Sequence, residues 1–121
     1  MRAKVRKIFS TDADLDSWKP ELPDDFGLPI RVLVGPSDSR GEESFDVLIC
    51  TPLWWTRKVL SEGPQFGHHH LFVMTWNYEE VFRVLTRTFE RDEATDWESL
   101  AEKLSRYGQW EFDDYRPEPT H

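Results

Sequence analysis

Apolar and polar positions alternate along the chain in short stretches at first, then settle into two longer helical stripes. Residues 3–10 set Val5, Ile8 and Phe9 among Lys4, Arg6 and Lys7, which predicts a strand with a solvated face. Val5 and Ile8 are out of phase for a simple strand, so an irregularity is expected between them. Ile30, Arg31, Val32, Leu33 and Val34, closed by Gly35 and Pro36, predict a second strand, and Val47, Leu48, Ile49 and Cys50 a third. The polar turn between these two runs makes them a hairpin. Residues 11–29 hold Asp and Pro at loop-forming frequency, leaving Leu15, Trp18, Leu22 and Phe26 to anchor a long ordered loop.

Thr51 and Pro52 end the third strand and start a short helix to about residue 61, with Pro52 at the first helical position, where an amide hydrogen has no partner to lose. Gly63, Pro64 and Gly67 form a loop before a fourth strand over residues 70–76. Asn77 and Glu80 have capping-box spacing, and Tyr78, Val81, Phe82, Leu85 and Phe89 then recur on one helical face. A second box at Thr95 and Glu98 opens a helix whose stripe is Trp97, Leu100, Ala101 and Leu104, with Gly108 expected as its C-terminal cap. Trp110 and Phe112 alternate with Glu111 and Asp113, which predicts a last short strand.

Composition adds bounds to this picture. At 121 residues with 38% hydrophobic positions and six Trp, the chain can bury a core without metal or disulfide. The lone Cys50 sits inside an apolar run and suits a reducing compartment, so cytoplasmic residence is expected; there is no signal-peptide layout and no apolar run of membrane-spanning length. The formal charge is −8, and residues 8–50 carry ten acids against three bases. Such a field repels phosphate backbones and speeds encounter with cationic proteins, so a protein partner is expected, and direct nucleic-acid or membrane binding is not.

Candidate chemistry is sparse. In a strand, His68 and His70 would share a face and offer two imidazoles to a metal, the basis of an alternative reading as a small metal-binding protein or enzyme, but no further ligand is spaced to join them. Asp12, Asp14 and Asp16 have an EF-hand rhythm, yet Ser17 stands where glycine is required and Pro23 where the bidentate Glu belongs. Cys50 lies between Ile49 and Thr51 in an apolar strand and reads as a core thiol, not a nucleophile. Phosphate loops and dinucleotide fingerprints are absent, so neither a cofactor nor a catalytic role is expected.

What remains is a surface. Trp97 and Trp110 belong to periodic patterns and are core candidates, while Trp54 and Trp55 lie about 100° apart on their helix, so one of them is expected to reach solvent. Trp18 has no periodic role: it either anchors its own loop or joins Asp12, Asp14, Asp16, Asp24 and Asp25 in an acidic, aromatic binding surface. Glu42, Glu43 and Asp46 form an acidic rim ahead of the third apolar run. The expected partner-binding residues are therefore Asp12, Asp14, Asp16, Trp18, Asp24, Asp25, Glu42, Glu43 and Trp55.

EESFDVLICTPLW at 42–54, FGHHHLFV at 66–73 and WESLAEKLSRYGQWEFDDY at 97–115, with VRKIFSTDADLD and DDFGLPIRVLVGP before them, resemble the immunity protein 8 family of bacterial polymorphic toxin systems. The resemblance implies a small, non-catalytic α+β protein, encoded beside a toxin, that binds and neutralises the toxin domain inside the producing cell. An acidic surface fits that role where the toxin presents a cationic face, such as the substrate cleft of a nuclease. The expected architecture is a mostly antiparallel sheet of four to five strands with two main helices packed on one face and a short helix after the third strand. One domain is expected over residues 1–115, followed by a short tail over 116–121.

Overall fold

The structure, a computed structural model, describes residues 1–113, so the expected tail and His121 lie outside the described residues. Five strands and three helices occur among those described: β1 (Ala3–Phe9), β2 (Gly27–Pro36), β3 (Glu43–Cys50), α1 (Pro52–Glu62), β4 (His70–Phe72), α2 (Tyr78–Arg91), α3 (Trp97–Leu104) and β5 (Gln109–Trp110). The sheet runs β1-β2-β3-β4, with β5 also paired to β3. All pairings are antiparallel except that of β4 with β3. The α+β class is as expected, and the one parallel pair follows from α1, because a helical crossover returns the chain in its original direction.

The period-two alternation decides which face is buried. Leu28, Ile30, Val32 and Val34 of β2 and Phe45, Val47 and Ile49 of β3 point to one side and are buried there. They meet Val81, Leu85 and Phe89 from α2 and Leu100, Ala101 and Leu104 from α3 in one core cluster. The Phe45 and Phe89 rings lie 5.5 Å apart at its centre. Each such side chain removed from water contributes roughly 1.5–3 kcal/mol. In β1 the pairing slips between Val5, opposite Val34, and Lys7, opposite Leu33, and the extra residue brings Ile8 back to the buried side. The out-of-phase Val5 and Ile8 had implied that bulge.

Several element limits differ from expectation for identifiable reasons. β2 and β3 begin earlier than their apolar runs because pairing continues from Gly27 opposite Cys50 to Val34 opposite Glu43, so Glu43 and Asp46 lie within a strand and not in a turn. Leu22 is exposed and anchors nothing; Leu15 and Phe26 hold the loop. β4 stops at Phe72, since β3 ends at Cys50 and leaves residues 74–76 no partner. Phe82 is exposed because it lies at the margin of the Val81–Leu85–Phe89 stripe, 100° of helical rotation from Val81. The cap of α3 is Asp96, not Thr95: its Oδ1 accepts the Ser99 amide at 2.8 Å. That helix ends at Leu104 with Ser105 as its cap, so Gly108 does not cap it. Instead, a Cβ on Gly108 would stand 3.0 Å from the Phe45 Cβ, and the glycine lets β5 approach β3. Phe112 falls in a turn beyond β5.

Candidate partner-binding surface

The loop before β2 is built by local hydrogen bonds and then pinned by aromatic packing. Asp14 Oδ1 accepts the Asp16 amide at 3.1 Å and the Asp14 carbonyl accepts the Trp18 amide at 2.8 Å, closing a turn around buried Leu15. Ser10 Oγ accepts the Asp12 amide and donates to the Pro29 carbonyl, tying the loop to β2. Trp18 is half-buried, edge-on to Phe26 at 5.5 Å and to Trp76 at 4.9 Å. Of its two expected roles, the loop anchor is the one its packing serves. The same packing leaves Asp12, Asp14, Asp16 and Asp24 exposed, and none of them forms an ion pair among the described residues. Asp14 and Asp16 line a depression of about 290 Å³ with Lys7 of β1 and Tyr78 of α2. Burial, and then the charge of Asp16, raise the Tyr78 pKa, which keeps its hydroxyl a proton donor.

Asp25 belongs to the framework. Its side chain is only 6% exposed and pairs with Arg57 of α1 at 3.0 Å. Beside it, Thr51 Oγ1 accepts the Phe26 amide at 3.2 Å and the Trp54 amide at 3.3 Å, while the Thr51 amide donates to the Phe26 carbonyl at 3.0 Å. The end of the loop and the start of α1 are thus one unit. Trp54 occupies the space that a Gly27 Cβ would need, 2.6 Å away, so glycine there admits the indole. Trp55 is half-buried, its ring 4.7 Å from His70 and 6.5 Å from Phe72, with the Lys58 ammonium 5.8 Å away.

Glu42 and Glu43 are at the other end of the sheet. Seven residue steps separate Glu43 from Cys50, about 23 Å at roughly 3.3 Å per residue. Glu42 is exposed, whereas Glu43 accepts the Trp110 indole hydrogen at 2.8 Å. Asp46 is held by Arg31 through bonds of 2.8 and 3.1 Å, and this pairing raises the Arg31 pKa further. The structure therefore groups Asp12, Asp14, Asp16 and Asp24 on one loop, with Asp14 and Asp16 at the β1 edge, and packs Trp55 against β4 at the other edge, while Glu42 and Glu43 stand at the start of β3.

The histidines do not share a strand face. His68 lies in a turn ahead of β4, His69 takes a left-handed conformation with φ +59°, and only His70 is in the strand. His69 Nε2 donates to the Ser105 carbonyl at 2.8 Å, which fixes the proton on that nitrogen and joins the entry of β4 to the end of α3. No group of three or more His, Cys, Asp or Glu among the described residues is arranged to hold a metal. Cys50 is fully buried, and burial pushes its thiol up to about 11. No described helix is long and apolar enough to cross a membrane. Sequence reasoning did not join Lys7 and Tyr78 to the acidic surface, because each reads as part of its own element and only the packing of β1 against α2 brings them to the loop.

The molecule is thus a small α+β protein with a braced, carboxylate-bearing loop at one end of a mixed sheet. The chain belongs to the family described as Immunity protein 8, which matches it over residues 3–115, and is an immunity protein of a toxin system. No curated protein and no solved structure matches it.

Proposed function

We propose that this immunity protein binds the toxin domain of its cognate polymorphic toxin in the cytoplasm of the producing cell and neutralises it by occlusion, without catalysis. The docking face is the acidic loop, with Asp12, Asp14, Asp16 and Asp24 as charged contacts and Trp55 on neighbouring α1 as an aromatic anchor. The observation that carries this reading is that those four carboxylates are exposed and have no ion-pair partner among the described residues, on a loop braced by Trp18, Phe26 and Trp76. A loop ordered before binding loses little entropy on docking. The depression beside Asp14 and Asp16 suits a Lys or Arg side chain of the toxin, and a toxin that acts on nucleic acid would supply such cations in its substrate cleft.

The test is co-expression with the product of the adjacent toxin gene, scored by growth. The wild-type chain restores growth, and the double variant Asp16→Lys/Asp24→Lys, at two exposed side chains that make no hydrogen bond or ion pair among the described residues, does not, although its melting temperature is retained. Full protection by the double variant would remove the loop from the docking face. Failure of the wild-type chain to protect would defeat the pairing itself.

A further inference from the structure

A second concave site lies on the helical side of the sheet, between β4 and the C-terminal ends of α2 and α3. It is a recess of about 310 Å³. Val84, Leu85 and Leu71 give it an apolar floor, and Arg91, Arg106 and Tyr107 stand at its polar edge. No carboxylate among the described residues lines it, in a chain where Asp and Glu outnumber Lys and Arg 23 to 15. The field of the molecule is negative, yet this hollow is cationic.

Arg91 is held in place, and Arg106 is available. Arg91 donates to the Tyr107 hydroxyl at 2.6 Å, and its guanidinium carbon lies 5.6 Å from the centre of that ring, which fixes the orientation of the fork. As an acceptor from Arg91, Tyr107 keeps its own hydroxyl hydrogen free to donate. Arg106 is exposed and takes part in no ion pair or side-chain hydrogen bond among the described residues. His69 fixes the wall by its bond to the Ser105 carbonyl, one residue before Arg106. Two guanidinium groups and a phenol above an apolar floor match an anion that carries a hydrocarbon stem.

We propose that this recess binds an organic carboxylate, with Arg91, Arg106 and Tyr107 on the carboxylate oxygens and Val84, Leu85 and Leu71 on the stem. The group belongs either to a free small acid or to a side chain or terminus of a protein partner. The site is independent of the acidic loop, and its occupancy does not depend on the docking face proposed above.

The probe is 3-phenylpropionate, with 3-phenylpropionamide as the uncharged control, followed through the arginine Nε–Hε resonances of the full chain. Saturable shifts of the Arg91 and Arg106 signals with the acid, and none with the amide, are expected. Arg106→Gln weakens the probe by about tenfold or more, as loss of a charge-assisted hydrogen bond requires. Arg106 lies on the surface, so an unchanged circular dichroism melt will show that the variant folds. If the natural carboxylate is the toxin's, Arg106→Gln also weakens the toxin complex; if it is a free acid, toxin binding is unchanged. Equal binding of acid and amide overturns the proposal, and so does the absence of a saturable shift together with an undisturbed toxin complex.

Discussion

His70 and Cys50 show how burial sets the chemistry of single residues here. Burial lowers the His70 pKa, and the nearby charge of Lys58 acts in the same direction. The unfolded chain takes up this proton near the ordinary value of about 6.5, and the folded chain only at lower pH. Below about pH 6.5 the unfolded state therefore holds more protons, so His70 costs no stability above that pH and progressively more beneath it. Thermal melts between about pH 7.5 and about pH 5 should show wild type losing melting temperature relative to His70→Leu as the pH falls. A gap between the two that stays constant with pH would refute this. Cys50 was legible as a core residue because its neighbours in the chain are apolar. The separate fates of the three histidines were not legible, since they depend on the left-handed turn at His69 and on Trp55 arriving from α1.

Between elements, the sequence is most informative where one periodicity governs a whole face. The stripes Val81–Leu85–Phe89 and Leu100–Leu104 could be read directly, because burial repeats in phase with the backbone, whereas the apolar runs of β2 and β3 marked strands without telling which side chains face the core. Ends were harder to read. Thr95 and Asp96 are both competent caps, and only the three-dimensional path of the chain selects Asp96. The length of β4 is set by where β3 stops, which its own residues do not encode. The junction of the loop with α1 depends on Thr51, whose hydroxyl oxygen serves the amides of both Phe26 and Trp54. Thr51→Val keeps the shape but removes that acceptor, leaving a buried Phe26 amide unpaired, and should cost about 2 kcal/mol in urea denaturation. Thr51→Ser retains the oxygen and should cost about 1 kcal/mol or less. Equal losses for the two variants would mean that the methyl packing, not the hydrogen bonds, holds the junction.

Over the whole molecule, the sequence disclosed the amount of negative charge but not its division between the β1 edge and the start of β3. Asp14 and Asp16 lie beside Lys7, Ile8 and Phe9 at the β1 edge, whereas Glu42 precedes β3, two strands across the sheet. Two strand spacings are about 10 Å, slightly more than the Debye length of about 8 Å at physiological ionic strength, so a toxin docked on the loop feels Glu42 more weakly than the loop's own carboxylates. If the negative field of the whole molecule steers the encounter, every Asp→Lys or Glu→Lys reversal slows association equally, since each changes the net charge by two. If the loop is the docking face, Asp14→Lys and Asp16→Lys slow association strongly and flatten its dependence on salt, whereas Glu42→Lys does little. Stopped-flow association with the toxin domain at several salt concentrations separates these cases. We expect the loop variants to lose at least about tenfold in association rate at low salt, within the range over which steering acts. Equal slowing by all three variants would assign the attraction to net charge. A larger effect at Glu42 would move the docking face to the start of β3.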